Sequence, residues 1–303
     1  MSRTARAGVA LLLWWCSLAA AGCAPLFFKP VQGHAQTPPQ LGMRFEDVYF
    51  EAADGVVLHG WFLPALGDQA LATVLFLHGT AENIGTNLDD IAWLPAAGFN
   101  VFLFDYRGYG ESDGRPTTMR AVYRDIEAAF ATLMRRSDID PDRIIVFGQS
   151  LGGALAVHAV RQSRYRSHVK AVVLDSAFSS FKAIAREQIN RSWVMRPFSI
   201  TVGIAVHEDI SSPMQAIAAL APIPVLIVHS REDRIVPLHH AQRLFAAAAE
   251  PKTLWIAPRG RHVAVFNERA WQNRWIDYVR TAVGEAPLSA HGGTLAAREQ
   301  PAG

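Results

Sequence analysis

Ser150 stands in Gly148-Gln149-Ser150-Leu151-Gly152, a G-x-S-x-G run between the apolar stretch 144–147 and a helix-prone stretch, 151–160. A serine on so tight a strand-to-helix turn has its Oγ pushed clear of the backbone. The flanking glycines let strand and helix approach without Cβ clashes. Chance alone gives such a run about once in ten chains of this size, so its place between strand and helix carries the weight. Serine is a weak nucleophile until a base takes its proton and a carboxylate fixes that base. With the serine on such a turn, the expected chain order is serine, acid, histidine. Asp233, in the segment His229 to Pro237, supplies the acid, and His262, after Arg259-Gly260-Arg261, supplies the base. Each follows an apolar run, 225–228 for the acid and 254–256 for the base. Asp175 also ends an apolar run and is the rival acid, while Glu232 would point elsewhere. None of the rival histidines follows the last strand. His158 reads as a packing residue, His168 as a loop residue, His207 as part of an insertion, and His239 and His240 as surface positions where a helix begins.

Acyl transfer builds negative charge on a carbonyl oxygen, which two fixed backbone N–H groups must meet. Leu151, directly after the serine, offers one. The loop His78 to Asn83 offers the other, assigned to Thr80, whose N–H serves whatever its side chain.

These residues need a scaffold that brings strand ends together. Residues 48–51 and 56–63 read as a first strand pair around the turn Ala53-Asp54-Gly55. Six apolar runs follow, at 74–77, 101–104, 144–147, 172–174, 225–228 and 254–256. Continuous apolar strands suit a parallel sheet covered on both faces. Helices are expected between them, most clearly over 119–134, then over 151–160 and 241–249. The acidic stretch 138–142 lacks the glycine and distal glutamate of a calcium loop and reads as a capped turn. The whole is an α/β chain, and its candidate residues lie at carboxyl ends of strands, where sites in such sheets form.

Five segments in order, HGTAEN (78–83), DYRGYGES (105–112), GQSLGG (148–153), HSREDRIVP (229–237) and RGRH (259–262), resemble the α/β-hydrolase superfamily in its serine-aminopeptidase and monoacylglycerol-lipase-like branch, and within it the Bem-type group. The resemblance covers about residues 44–283. It implies an α/β-hydrolase fold with a mostly parallel central sheet, flanking helices and a short cap insertion at about 176–221. It also implies a serine hydrolase of the ester or thioester kind, with no metal and no cofactor. Some members of the group are membrane-tethered acyl-protein thioesterases. Arg107 and Tyr109 are implied to shape the loop beneath the site. Thr80 departs from the pattern, because relatives often carry Asn there. The apolar residues of the cap, Phe178, Phe181 and Ile184 among them, suggest a wall for an acyl group. A peptidase or amidase, or a catalytically idle scaffold, are the competing readings. The intact serine, acid and histidine argue against the scaffold.

The N-terminus is read as an export signal. Arg3 and Arg6 precede an apolar stretch, 8–21, too short to span a bilayer. Ala21-Gly22-Cys23 resembles a bacterial lipoprotein signal (residues 1–22) with Cys23 as the lipidated residue, although Leu is more usual where Ala20 stands. Ala24 rather than Asp suggests an outer-membrane protein facing the periplasm. Residues 23–40, rich in Pro, Gln and Gly, are expected to be a flexible tether; 41–284 the hydrolase domain; and 285–303 a disordered tail. The two cysteines, Cys16 and Cys23, leave the body without a thiol nucleophile, Cys-ligated zinc or internal disulfide. The charge is +2, and without Arg3 and Arg6 bases and acids balance. No basic stripe points to nucleic acid. The expected partners are an acyl substrate and, through the anchor, a membrane.

Overall fold

The computed structural model describes residues 27–67, 69–116, 118–191 and 212–288. The expected signal segment, Cys23, the middle of the cap and most of the expected tail lie outside the described residues. No helix among the described residues is long and apolar enough to cross a membrane.

Eight strands build one sheet: β1 (Glu46–Glu51), β2 (Val57–Leu63), β3 (Ala72–Leu77), β4 (Phe99–Phe104), β5 (Ile144–Gln149), β6 (Val169–Asp175), β7 (Val225–Ser230) and β8 (Lys252–Ala257). Their order is β1-β2-β4-β3-β5-β6-β7-β8. β1 and β2 run antiparallel to each other, as do β2 and β4, and the rest are parallel. The expected strand pair and all six apolar runs therefore fall on strands. β3, β4 and β5 are buried along their whole length, because apolar side chains pointing to both faces need cover on both.

That cover forms two cores. On one face lie α1 (Met119–Met134), α2 (Leu151–Gln162), α3 (Phe181–Asn190) and α4 (His239–Ala247). On the other lie the short turns Leu88–Ile91 and Trp93–Ala96 and the last helix, α5 (Arg269–Ala282). Helix α1 begins where Thr118 accepts the Ala121 N–H at 3.1 Å, a side-chain N-cap. Helix α5 was not expected from the sequence. It buries Trp275, Ile276 and Val279 against Phe99 and Phe147, and the four-residue step from Trp271 to Trp275 to Val279 is the signal that would have found it. Helix α4 starts two residues earlier than expected. There His240, read as a surface residue, is fully buried and bonded to Glu187 (3.1 Å) and Ser179 (2.9 Å). Of the cap, α3 is described, and its Phe181 and Ile184 pack with Phe178 into the core. These three positions are packed in the core.

The largest departure is the expected tether. Residues 27–42 are not a free linker but a strap laid across the loops that follow β3 and β4. Phe27 and Phe28 are buried. The Lys29 N–H donates to the Thr80 carbonyl (3.3 Å), and Gly110 and Gly33 exchange N–H donors with Val31 and Gly110 carbonyls. His34 bonds Asp105 at 2.6 Å and packs on Trp61. Pro and Gln suggested solvation, yet an extended Pro-rich segment has little backbone freedom left to lose, and its unpaired N–H and C=O groups suit edge-on pairing with loops. Residues 285–288 are pinned too, through Glu285 to Arg143 (2.8 Å) and the Leu288 N–H to Asp277 (2.6 Å).

Phe28→Ala should therefore cost about 3 kcal/mol of stability in a urea melt. A free tether would lose nothing measurable.

Candidate active site

Strands β5, β6, β7 and β8 are parallel neighbours, so their carboxyl ends lie side by side and present Ser150, Asp175, Asp233 and His262 on one edge. The turn from β5 into α2 is possible only because its glycines are glycines. A Cβ on Gly152 would lie 2.0 Å from the Leu77 carbonyl oxygen, and one on Gly148 2.5 Å from that of Gly152. Ser150 itself takes φ 52°. Its N–H donates to the Asp175 carbonyl at 2.9 Å.

Three non-glycine residues have positive φ among the described residues: Ser150, Ser176 and Val263. All three meet here. The Val263 N–H donates to Ser176 Oγ (3.2 Å), so the residue beside His262 and the residue Ser150 are both fastened to the Asp175–Ser176 junction. Each such backbone costs about 1–3 kcal/mol, and strain of this kind gathers at functional sites. For a β-branched valine it is most costly.

The imidazole of His262 donates from Nδ1 to Asp233 Oδ2 at 2.7 Å. This leaves Nε2 as the ring atom able to accept a proton. Asp233 Oδ1 accepts the N–H groups of Ile235 (2.8 Å) and Val236 (2.9 Å). Burial pushes the Asp233 carboxyl up, but the His262 hydrogen bond and charge and these two N–H groups outweigh it and hold it below the usual range. The rival acid is occupied elsewhere. Asp175 accepts from Ser176 Oγ (3.0 Å) and Gln149 Nε2 (3.2 Å). Glu232 turns away, towards the Gly260 N–H. The structure thus brings Asp233, not Asp175, onto His262.

The loop with Thr80 is held from several sides. His78, fully buried, accepts the Tyr106 N–H at Nε2 (3.4 Å) and donates from Nδ1 to the Gly79 carbonyl (2.8 Å); burial lowers its pKa and keeps it neutral. Tyr109 donates to the Thr80 carbonyl (2.7 Å), Thr80 Oγ1 donates to the Phe27 carbonyl, and Glu82 accepts the Gly79 N–H (3.0 Å). Among the described residues, the N–H groups of Thr80 and Leu151 are spent on no other hydrogen bond. Arg107 braces the loop below with carboxylates of Asp125 (2.6 Å) and Asp54 (2.9 Å). Phe27, Lys29 and Tyr109 are thus neighbours of the site; neither strap residue was expected there. The doublet Phe27-Phe28 was the available signal, an apolar pair in a polar stretch.

A cavity of about 810 Å³ opens beside His262, lined by Glu82, Glu232, Asp233, Ile235, Val263 and three arginines. Among the described residues, two groups have metal-ligand character. In Glu187, His239 and His240, the Ser179 N–H donates to His240 Nδ1 (3.2 Å), so Nε2 carries the proton that Glu187 receives. In His34, His59 and Asp105, the imidazole of His34 is already bonded to Asp105. Both read as hydrogen-bonded ties between elements.

This fold and this edge of side chains define an α/β hydrolase, and the chain belongs to that family. Residues 68–198 match the family described as serine aminopeptidase, S33. The chain is 36% identical over 244 residues to the uncharacterized protein YfhR of Escherichia coli K12, covering 78% of this chain and 81% of that one. It is 34% identical to the alpha/beta hydrolase domain-containing protein WAV2 of Arabidopsis thaliana, covering 75% of each. An esterase of Pyrococcus furiosus has the same fold, with a TM-score of 0.67 at 21% identity over 85% of this chain and 97% of that one.

Asp175 offers a pH test. Burial, partly offset by its hydrogen bonds, pushes its carboxyl up to about 7. The folded state then binds a proton that the unfolded state has lost, so stability should fall as pH rises from about 4 to about 7, by up to about 1.4 kcal/mol per unit. Unfolding titrations of Asp175→Asn should lack that slope.

Proposed function

We propose that the chain is a serine hydrolase of carboxylic ester or thioester bonds. One observation carries the reading: an imidazole with its tautomer set by a buried carboxylate is fastened to the same strand-end junction as a strained serine. Ser150 Oγ attacks the acyl carbon while His262 Nε2 takes its proton. The Leu151 and Thr80 N–H groups meet the oxyanion. His262 then gives the proton to the leaving alcohol or thiol, an acyl-serine remains, and water deprotonated by the same imidazole releases the acid. Asp233 stays ionised throughout and stabilises the imidazolium. Support comes from the family and from the esterase of like fold. In the same reading, Cys23 carries the lipid that holds the exported chain on a membrane facing the periplasm.

A fluorophosphonate should label the wild-type chain and not Ser150→Ala. Asp233→Asn should lower kcat on short acyl esters by about 10⁴-fold. A folded wild-type chain that takes no label overturns the reading, and faster turnover of aminoacyl amides than of esters replaces it with a peptidase. For the anchor, Cys23→Ser should abolish metabolic labelling by a fatty acid, and persistent labelling would move the lipid elsewhere.

A further inference from the structure

The strap enters the fold at the mouth of the site. The Phe27 carbonyl accepts the Thr80 hydroxyl, and the Phe27 ring meets Phe181 edge-on at 4.9 Å. Cys23 stands four positions before Phe27, and a chain spans at most about 3.5 Å per residue. The Cα of Cys23 can therefore be no more than about 14 Å from that of Phe27.

The loops with Asp233 and His262 carry a second feature. Arg231, Arg234, Arg259 and Arg261 are all exposed there, and among the described residues none of them makes an ion pair. Arg107, Arg124, Arg136, Arg143 and Arg164 are all paired. Glu232 is the one exposed acid on these two loops, 229–237 and 259–263. Between the arginines Ile235 stands 51% exposed. Against the four arginines stand Glu232 and the ionised Asp233, so these loops carry an excess of two positive charges in a body whose bases and acids balance once Arg3 and Arg6 are set aside. Like charges within a screening length of about 8 Å repel one another. A facing anionic layer reverses the sign of that interaction.

We propose that this face docks on an anionic phospholipid surface, with Ile235 at the level of the headgroups and the cavity beside His262 opening onto the layer. The hydrolase would then draw acyl substrates from that layer. The arginine face stands independently of the lipid at Cys23. The choice of acyl substrate rests on the hydrolase reading.

The test is amide hydrogen exchange of the full chain reconstituted into vesicles of phosphatidylcholine, and of phosphatidylcholine equimolar with phosphatidylglycerol. Exchange over 229–237 and 259–263 should slow about fivefold for each arginine at the surface, on the anionic vesicles only. High salt should reverse it, and so should the Arg231→Glu, Arg234→Glu, Arg261→Glu triple variant. Equal exchange on both vesicles, or protection that survives in the triple variant, overturns the proposal. The salt comparison needs no variant, so a triple variant that fails to fold leaves the test standing. Ser150→Ala should dock like the parent, which separates this outcome from the fate of the hydrolase reading.

Discussion

Two hydrogen bonds to the Asp175–Ser176 junction hold the site together. Through one, the backbone of Ser150 hangs from the end of β6; through the other, so does the residue after His262. The junction lies next to β5 in the sheet, and one strand, β7, separates it from β8, which leads to His262. The three strained backbones meet there, at a cost of several kcal/mol in sum. Strands buried on both faces make that cost tolerable, because each fully buried aliphatic side chain contributes about 1.5–3 kcal/mol. β5 and β6 supply such residues along nearly their whole length. The local strain is therefore sustained by the sheet, and not by the loops.

The sheet was legible because its strands read as uninterrupted apolar runs, and the order of Ser150, Asp233 and His262 followed from which runs they end. What the sequence could not show was pairing. Asp175 and Asp233 both end or follow a strand, and only the structure shows the first bonded to Gln149 and Ser176 and the second to His262. The buried His240 escaped for a related reason. Its cover, α3, comes from a distant insertion, and no local pattern encodes that contact. The strap escaped because composition describes a segment's solvation, while its docking depends on two phenylalanines and on backbone groups that every residue has.

The strap alters how the DYRGYGES and HGTAEN loops are understood. Tyr109 and Lys29 converge on the one carbonyl of Thr80, and Asp105 is shared between His34 and the Ile84 N–H (3.0 Å). Gly110 is needed where it stands, because with φ 50° any Cβ would fall 1.8 Å from an Asp105 carboxylate oxygen. A close three-way crossing of strap, β4 loop and β3 loop thus fixes the position of the Thr80 peptide. Preorganised donors are effective because they need no rearrangement when charge develops, and a loop bonded on both sides meets that requirement better than one free on its outer face.

The strap gives the Thr80 side chain a physical role. Its hydroxyl is short, and it donates to the Phe27 carbonyl directly against the loop. A longer amide side chain would need more room between loop and strap, or a different partner. The backbone N–H proposed to meet the oxyanion is indifferent to that exchange. The side chain at this position can therefore follow the seating of the N-terminal segment while the chemistry keeps its donor.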